Sequence, residues 1–210
     1  MEMIDSAATR DKRTVILDSA GAAFARYGYE GASMSSITRE AGVSKATVYH
    51  HFSSKAALFG AYVQRECQRS LAPIFHNLTH HTDAEAALRN IGLRMINFLL
   101  SPVCLAIDRV VASEAGAFPE LAQAYYDAGP RQGIATMAQW LRDQDDAGRL
   151  AVPDAEFAAE QFFALCQTRV AMRCRLRMGA SIEPGTVERV VDAAVAMFLN
   201  TYGRPGSLRP

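Results

Sequence analysis

The chain lacks a charge of one sign. Its 210 residues carry 22 Lys plus Arg against 22 Asp plus Glu, a formal net charge of zero. That excludes a generally basic coat, on which non-specific nucleic-acid binders depend for phosphate attraction. Cysteine is sparse: Cys67, Cys104, Cys166 and Cys174 are scattered with no CxxC pair, so a disulfide framework or a cysteine metal site is not expected. No apolar run reaches the roughly 18 residues that a membrane span needs, and no signal peptide opens the chain, so the expectation is a cytoplasmic protein without a membrane partner. Strand-like alternation and internal repeats are missing. So are HExxH, GxSxG, a phosphate-cradling glycine loop and any acid/base pair at a defensible spacing, which argues against an enzyme. His76, His80 and His81 invite a metal reading, but no flanking carboxylate or cysteine pattern supports it. No metal, cofactor or catalytic residue is expected.

What is present is helical periodicity, and it is densest in meaning between Ser33 and Lys55. Ser33 suits an N-cap, because its hydroxyl can accept from a freed backbone N–H. Met34, Ile37 and Ala41 follow at helical spacing. Gly42 supplies a turn that accepts positive φ. Ser44 caps a second helix, anchored by Val48 and Phe52 four residues apart. Lys45, Ala46, Thr47, Tyr49, His50 and His51 then fall on or near the outer face. This is the layout of a helix-turn-helix, whose second helix lies in the DNA major groove. Residues 1–70 hold nine Lys or Arg against seven acids, so phosphate attraction must come from placement rather than bulk charge.

The run Ala41-Gly42-Val43-Ser44, followed by Tyr49, Phe52, Lys55 and Leu58, resembles the DNA-binding signature of the TetR (tetracycline-repressor) family over roughly residues 11–62. Two positions depart from the family pattern. Thr38 follows Ile37 where a smaller residue is usual, and Ser35 stands where a basic residue is common. The segment Arg109–Pro130 resembles, more weakly, the C-terminal domain of AefR-like members, with a similar rhythm to about Leu165. The resemblance implies an all-α protein: a three-helix DNA-binding domain over residues 10–55 and a helical ligand-binding and dimerisation domain over 56–204. It implies a transcriptional regulator, expected to be a repressor, that binds a palindromic operator in double-stranded DNA as a homodimer and is released by a small-molecule effector of largely apolar character. Within the head, base contact is expected from Lys45 and Thr47 and phosphate contact from Tyr49 and His50, with Ser33, Ser35, Ser44, Ala46, His51 and Ser53 nearby. Ser53 is expected to cap the fourth helix. Lys55, in that helix's first turn, is expected on a phosphate, since a cation at a helix N-terminus otherwise costs about 0.3–1 kcal/mol.

The chain in order reads as about nine helices. A loose arm over residues 1–9 precedes a helix that Gly28 ends. The fourth helix should bend or stop at Pro73. Another starts at Pro119 and kinks at Pro130, and one long helix runs from Ala155 to about Met178, closed by Gly179. The final GRPGSLRP reads as a tail. The last two helices are the expected dimer surface, with Phe157, Gln161, Leu165 and Thr168 on one and Val187, Val191, Val195 and Phe198 on the other. The bland alternative is that these stripes face their own core. A ligand cavity could be lined by Phe98, Asp108, Arg109, Tyr125, Tyr126, Trp140 and Phe162. Asp108 and Arg109 are charges flanked by apolar residues, so they either pair structurally or orient a polar ligand group. The competing reading is a small-molecule carrier or enzyme with a vestigial DNA-binding head.

Overall fold

The computed structural model describes residues 3–76, 83–176 and 183–204, with side chains over 12–70, 83–176 and 183–204. His80, His81, Met178, Gly179 and the tail from residue 205 onward lie outside them. The described residues form eleven helical segments: α1 (Met3–Gly31), α2 (Met34–Glu40), α3 (Lys45–His51), α4 (Lys55–His76), α5 (Ala84–Leu99), α6 (Pro102–Glu114), α7 (Pro119–Ala128), α8 (Pro130–Asp146), α9 (Ala155–Cys166), α10 (Ala171–Arg175) and α11 (Thr186–Tyr202). Among these residues there is no strand, and one isolated bridge joins Leu150 to Gly203.

Two expected helices are each two. Pro130 starts a new helix instead of kinking an old one. Gly129 leaves helical geometry (φ −115°, ψ −85°), and the proline, whose missing N–H costs nothing at a first helical position, opens α8. The helix from Ala155 breaks after Cys166. Arg169 takes the left-handed region at φ 68°, which an ordinary side chain disfavours, and β-branched Thr168 and Val170 flank it. At the other end α1 begins at Met3, within the expected loose arm, and its helical geometry breaks at the expected Gly28 (φ 74°, ψ −177°), with a short further turn running to Gly31. Pro73 does not stop α4, which continues to His76.

Packing divides the chain into two compact units: residues 1–66 with 106–130, and residues 67–105 with 131–210. These units cross the expected boundary at residues 55 and 56, because most of α6 and all of α7 pack with the N-terminal helices. In the first unit Phe24, Tyr29 and Phe59 form an aromatic centre, Phe24 edge-on to Phe59 at 5.0 Å between centroids. Gly21 lets α4 close on α1, since a Cβ there would lie 2.5 Å from the Tyr62 ring. Beside it, Arg65 bridges to Asp18 at 2.7 Å.

The second unit is built on α5, α9 and α11. Leu88, Ile91 and Met95 of α5 meet Phe162 of α9 and Val191, Ala194, Val195 and Phe198 of α11 in one buried cluster. Phe162 and Phe198 pack edge to face at 5.4 Å. The end of α11 is tied down where Ala151 N–H donates to Tyr202 O (2.7 Å) and Arg204 Nε donates to Leu150 O (2.8 Å). No single described helix is long and apolar enough to cross a membrane.

Candidate nucleic-acid interface

The helix-turn-helix is assembled by caps at the expected serines. Ser33 Oγ accepts from Ser36 N–H at 3.0 Å while Ser36 Oγ accepts from Ser33 N–H at 3.1 Å, a reciprocal capping box at the start of α2. Thr38 fits where a smaller residue is usual because its hydroxyl turns back onto Met34 O at 2.6 Å, leaving the side chain buried but satisfied. Gly42 makes the turn at φ 65°. Ser44 Oγ accepts from Thr47 N–H at 3.0 Å and lies 2.8 Å from the Thr47 hydroxyl, capping α3.

Val48 and Phe52 are buried beneath α3, which leaves Lys45, Ala46, Tyr49 and His50 exposed together on the opposite side. Thr47 is half-buried at the edge of that face. The Lys45 ammonium lies 5.8 Å from the Tyr49 ring centroid. His51 sits lower, half-buried, 5.4 Å from the His50 ring. Its pKa is pushed below the ordinary imidazole value, first by desolvation and then by the charges of His50, Arg13 and Lys12. Lys12 and Arg13 thus bring positive charge from α1 to the foot of α3, with Arg13 5.5 Å over the Phe52 ring. No sequence motif singled out either. Ser35 is exposed on α2.

One expectation at the start of α4 requires correction. The cap is Ser54, whose Oγ accepts from Ala57 N–H at 3.0 Å, and Ser53 lies one residue outside it, exposed. Adjacent serines at a helix start cannot be ranked by residue type. Lys55 turns inward. Its ammonium donates to Tyr29 O at 2.7 Å and lies 4.3 Å from the Tyr29 ring centroid.

The residues expected to line a ligand cavity fall in both units. Phe98, Trp140 and Phe162 belong to the second, where Trp140 and Phe162 are buried core. Asp108, Arg109, Tyr125 and Tyr126 belong to the first. There the Tyr125 hydroxyl donates to Asp108 Oδ1 at 2.8 Å, while Arg109 and Tyr126 are exposed. The expected dimer residues also separate. Val191, Val195 and Phe198 are buried at 0%, 3% and 2% exposure within their own unit, so they are core and not surface. A helix turns its strongest apolar stripe to the nearest apolar neighbour, here α5 and α9. Phe157 (54% exposed) and Thr168 remain outside, Gln161, Leu165 and Val187 are half-buried, and the Gln161 amide oxygen accepts from the Tyr202 hydroxyl at 2.6 Å. Exposed Met172, on the same expected stripe, and exposed Met197 extend the free apolar surface. Among the described residues, no three His, Cys, Asp or Glu side chains gather as a metal site requires.

Similarity to known proteins agrees with this geometry. The sequence profile of the bacterial regulatory proteins of the tetR family matches residues 16–62, and that of the AefR-like transcriptional repressor C-terminal domain matches residues 86–204. The transcriptional regulator UidR of Escherichia coli strain K12 is 42% identical over 60 residues, which is 29% of this chain and 31% of that protein. The chain therefore spans about a third of the length of the first curated relatives it matches. Among solved structures, a TetR-family transcriptional regulator from Mesorhizobium loti aligns at a TM-score of 0.79 and 29% identity over 93% of this chain and 98% of that one. The flavonoid-responsive regulator FrrA aligns at 0.75 and 28% over 93% and 99%. With a capped helix-turn-helix inside the first profile and more than half its length inside the second, the chain belongs to the TetR family of bacterial transcriptional regulators.

Proposed function

We propose that the protein reads a palindromic operator as a homodimer, as a repressor, and releases it when a largely apolar small molecule binds. The observation that carries this reading is the polarity of α3. Its buried side is anchored by Val48 and Phe52, and its free side presents Lys45, Ala46, Tyr49 and His50 together. Lys45 suits guanine acceptors and Thr47 a thymine methyl. Tyr49 and His50 suit phosphates, assisted by Lys12 and Arg13. Because the charge balance is even, affinity depends on this local placement.

A two-fold assembly follows from the target, since readers of this type span half-sites about 34–36 Å apart or multiples of that. Phe157, Thr168, Met172 and Met197 are exposed side chains available to make it. For the effector, the Tyr125–Asp108 hydrogen bond is a candidate polar anchor in the first unit. Release is a population shift: reversing a 99:1 preference for the DNA-competent state takes about 5.5 kcal/mol of differential ligand binding. Selecting bound sequences from a random duplex pool at near-physiological salt tests the reading. An enriched palindrome is the expected result. A folded dimer that enriches nothing, with or without a small-molecule library, overturns it in favour of a carrier with a vestigial head.

A further inference from the structure

α1 carries an unusual break. At Gly28 the backbone leaves helical geometry, so the residues behind it start a fresh turn with unpaired N–H groups. A side chain 85 residues away meets them. Glu114, the last residue of α6, accepts from Tyr29 N–H through Oε1 at 2.7 Å and from Glu30 N–H through Oε2 at 2.5 Å. The carbonyls of the same two residues face Lys55, which donates to Tyr29 O at 2.7 Å and to Glu30 O at 3.4 Å. One dipeptide thus has its donors on a carboxylate and its acceptors on an ammonium. The Tyr29 ring is buried between, 5.3 Å from Phe118.

Two facts show that Glu114 serves this contact and not its own helix. A carboxylate in the last turn opposes the helix dipole, a local cost of about 0.3–1 kcal/mol, and α6 has no basic residue there to offset it. Gly28 is also shaped to receive it, because a Cβ at that position would collide with Glu114 Oε1. Four residues after the clamped dipeptide begins, Ser33 caps α2, the first helix of the motif.

We infer that Glu114 is a positioning residue for operator reading: its carboxylate locks the Tyr29–Glu30 link and so fixes how α2 and α3 are carried on α6. The inference rests on the operator reading above. Its test is Glu114→Gln in the full chain, which keeps the size and removes the charge and one acceptor. Hydrogen exchange should lose about tenfold or more protection at Tyr29 and Glu30, as expected for hydrogen bonds to a charged acceptor. Protection in the second unit should not change. Duplexes with half-sites moved apart by single base pairs should be bound more evenly than by the unaltered chain, while the preferred bases within each half-site stay the same. A merely structural glutamate would lower the thermal midpoint and leave the spacing preference as it was, and that result overturns the inference. Unchanged exchange at both amides also overturns it. If Glu114→Gln does not fold, Glu114→Asp, which keeps the charge and shortens the reach, is measured in the same two ways, and the same outcomes support or overturn the inference. Failure of the operator reading is seen separately, in the unaltered chain, as the absence of any selected palindrome.

Discussion

Replacing Lys55 by alanine separates the phosphate role expected from the sequence from the carbonyl contact seen in the structure. In the structure that group donates to Tyr29 O at 2.7 Å and sits 4.3 Å from the Tyr29 ring centroid. A hydrogen bond from a charged donor contributes about 1.5–3 kcal/mol, and half-burial places Lys55 at the low end. The ring contact adds about 0.5–1 kcal/mol. Against these, removing a cation from the first turn of α4 returns about 0.3–1 kcal/mol. The net expectation is a loss of about 1–2 kcal/mol. For a chain of this size that lowers the thermal midpoint by roughly 2–8 °C. Circular dichroism measures it, alongside the salt dependence of affinity for a selected operator. The slope of log affinity against log salt should stay within error of the unaltered protein, because no phosphate contact is removed. A variant with an unchanged midpoint and a slope smaller by about one would refute the reasoning and put Lys55 on the DNA backbone.

Four further outcomes follow from the same geometry. Gly92→Val should lower the urea midpoint by the equivalent of about 1–3 kcal/mol, since even a Cβ there lies 2.8 Å from Val191 Cγ1 and 3.2 Å from Cys166 Sγ in a region without slack; an unchanged midpoint would show that α5 and α11 can part freely. Burial, then the charges of Glu120 and Glu114, push the Tyr29 phenol from 10.0 to about 12, so the folded chain holds a proton there that the unfolded chain gives up. Stability should therefore fall as pH rises from 10 towards 12, which unfolding followed by phenolate absorbance would detect. A thiol reagent should label the partly exposed Cys67 and Cys174 first, with buried Cys104 and Cys166 reacting only on unfolding; burial also raises the Cys166 thiol to about 12, and mass spectrometry of labelled peptides gives the order. Phe157→Glu should shift sedimentation towards monomer without loss of helix, whereas Val195→Glu, placing a charge in the core, should unfold the second unit; a dimer undisturbed by Phe157→Glu would move the interface elsewhere.

The reading head is the legible part because its logic is local. Ser33, Gly42 and Ser44 act within three or four residues of themselves, and each does in space what its type and spacing announce. Val48 and Phe52 are inward because the helical repeat makes them so. Residue type and spacing mislead where two neighbours of like chemistry compete, as with Ser53 and Ser54, or where a break depends on one backbone angle, as at Arg169. The stripe on α11 is visible as a stripe, yet periodicity does not say whether an apolar face meets its own chain or another, and Val191, Val195 and Phe198 meet their own.

The sequence by itself determined an all-helical chain, a helix-turn-helix with its caps and outer face, and the family to which that motif belongs, because these depend on interactions a few residues long. Tertiary structure alone decided that Lys55 faces a carbonyl, that α6 and α7 pack with the N-terminal helices, and that Glu114 reaches Tyr29 across 85 positions. The physical reason is the same in each case. Each contact joins groups far apart in the chain, and packing between distant segments, not residue type or local spacing, decides which groups meet.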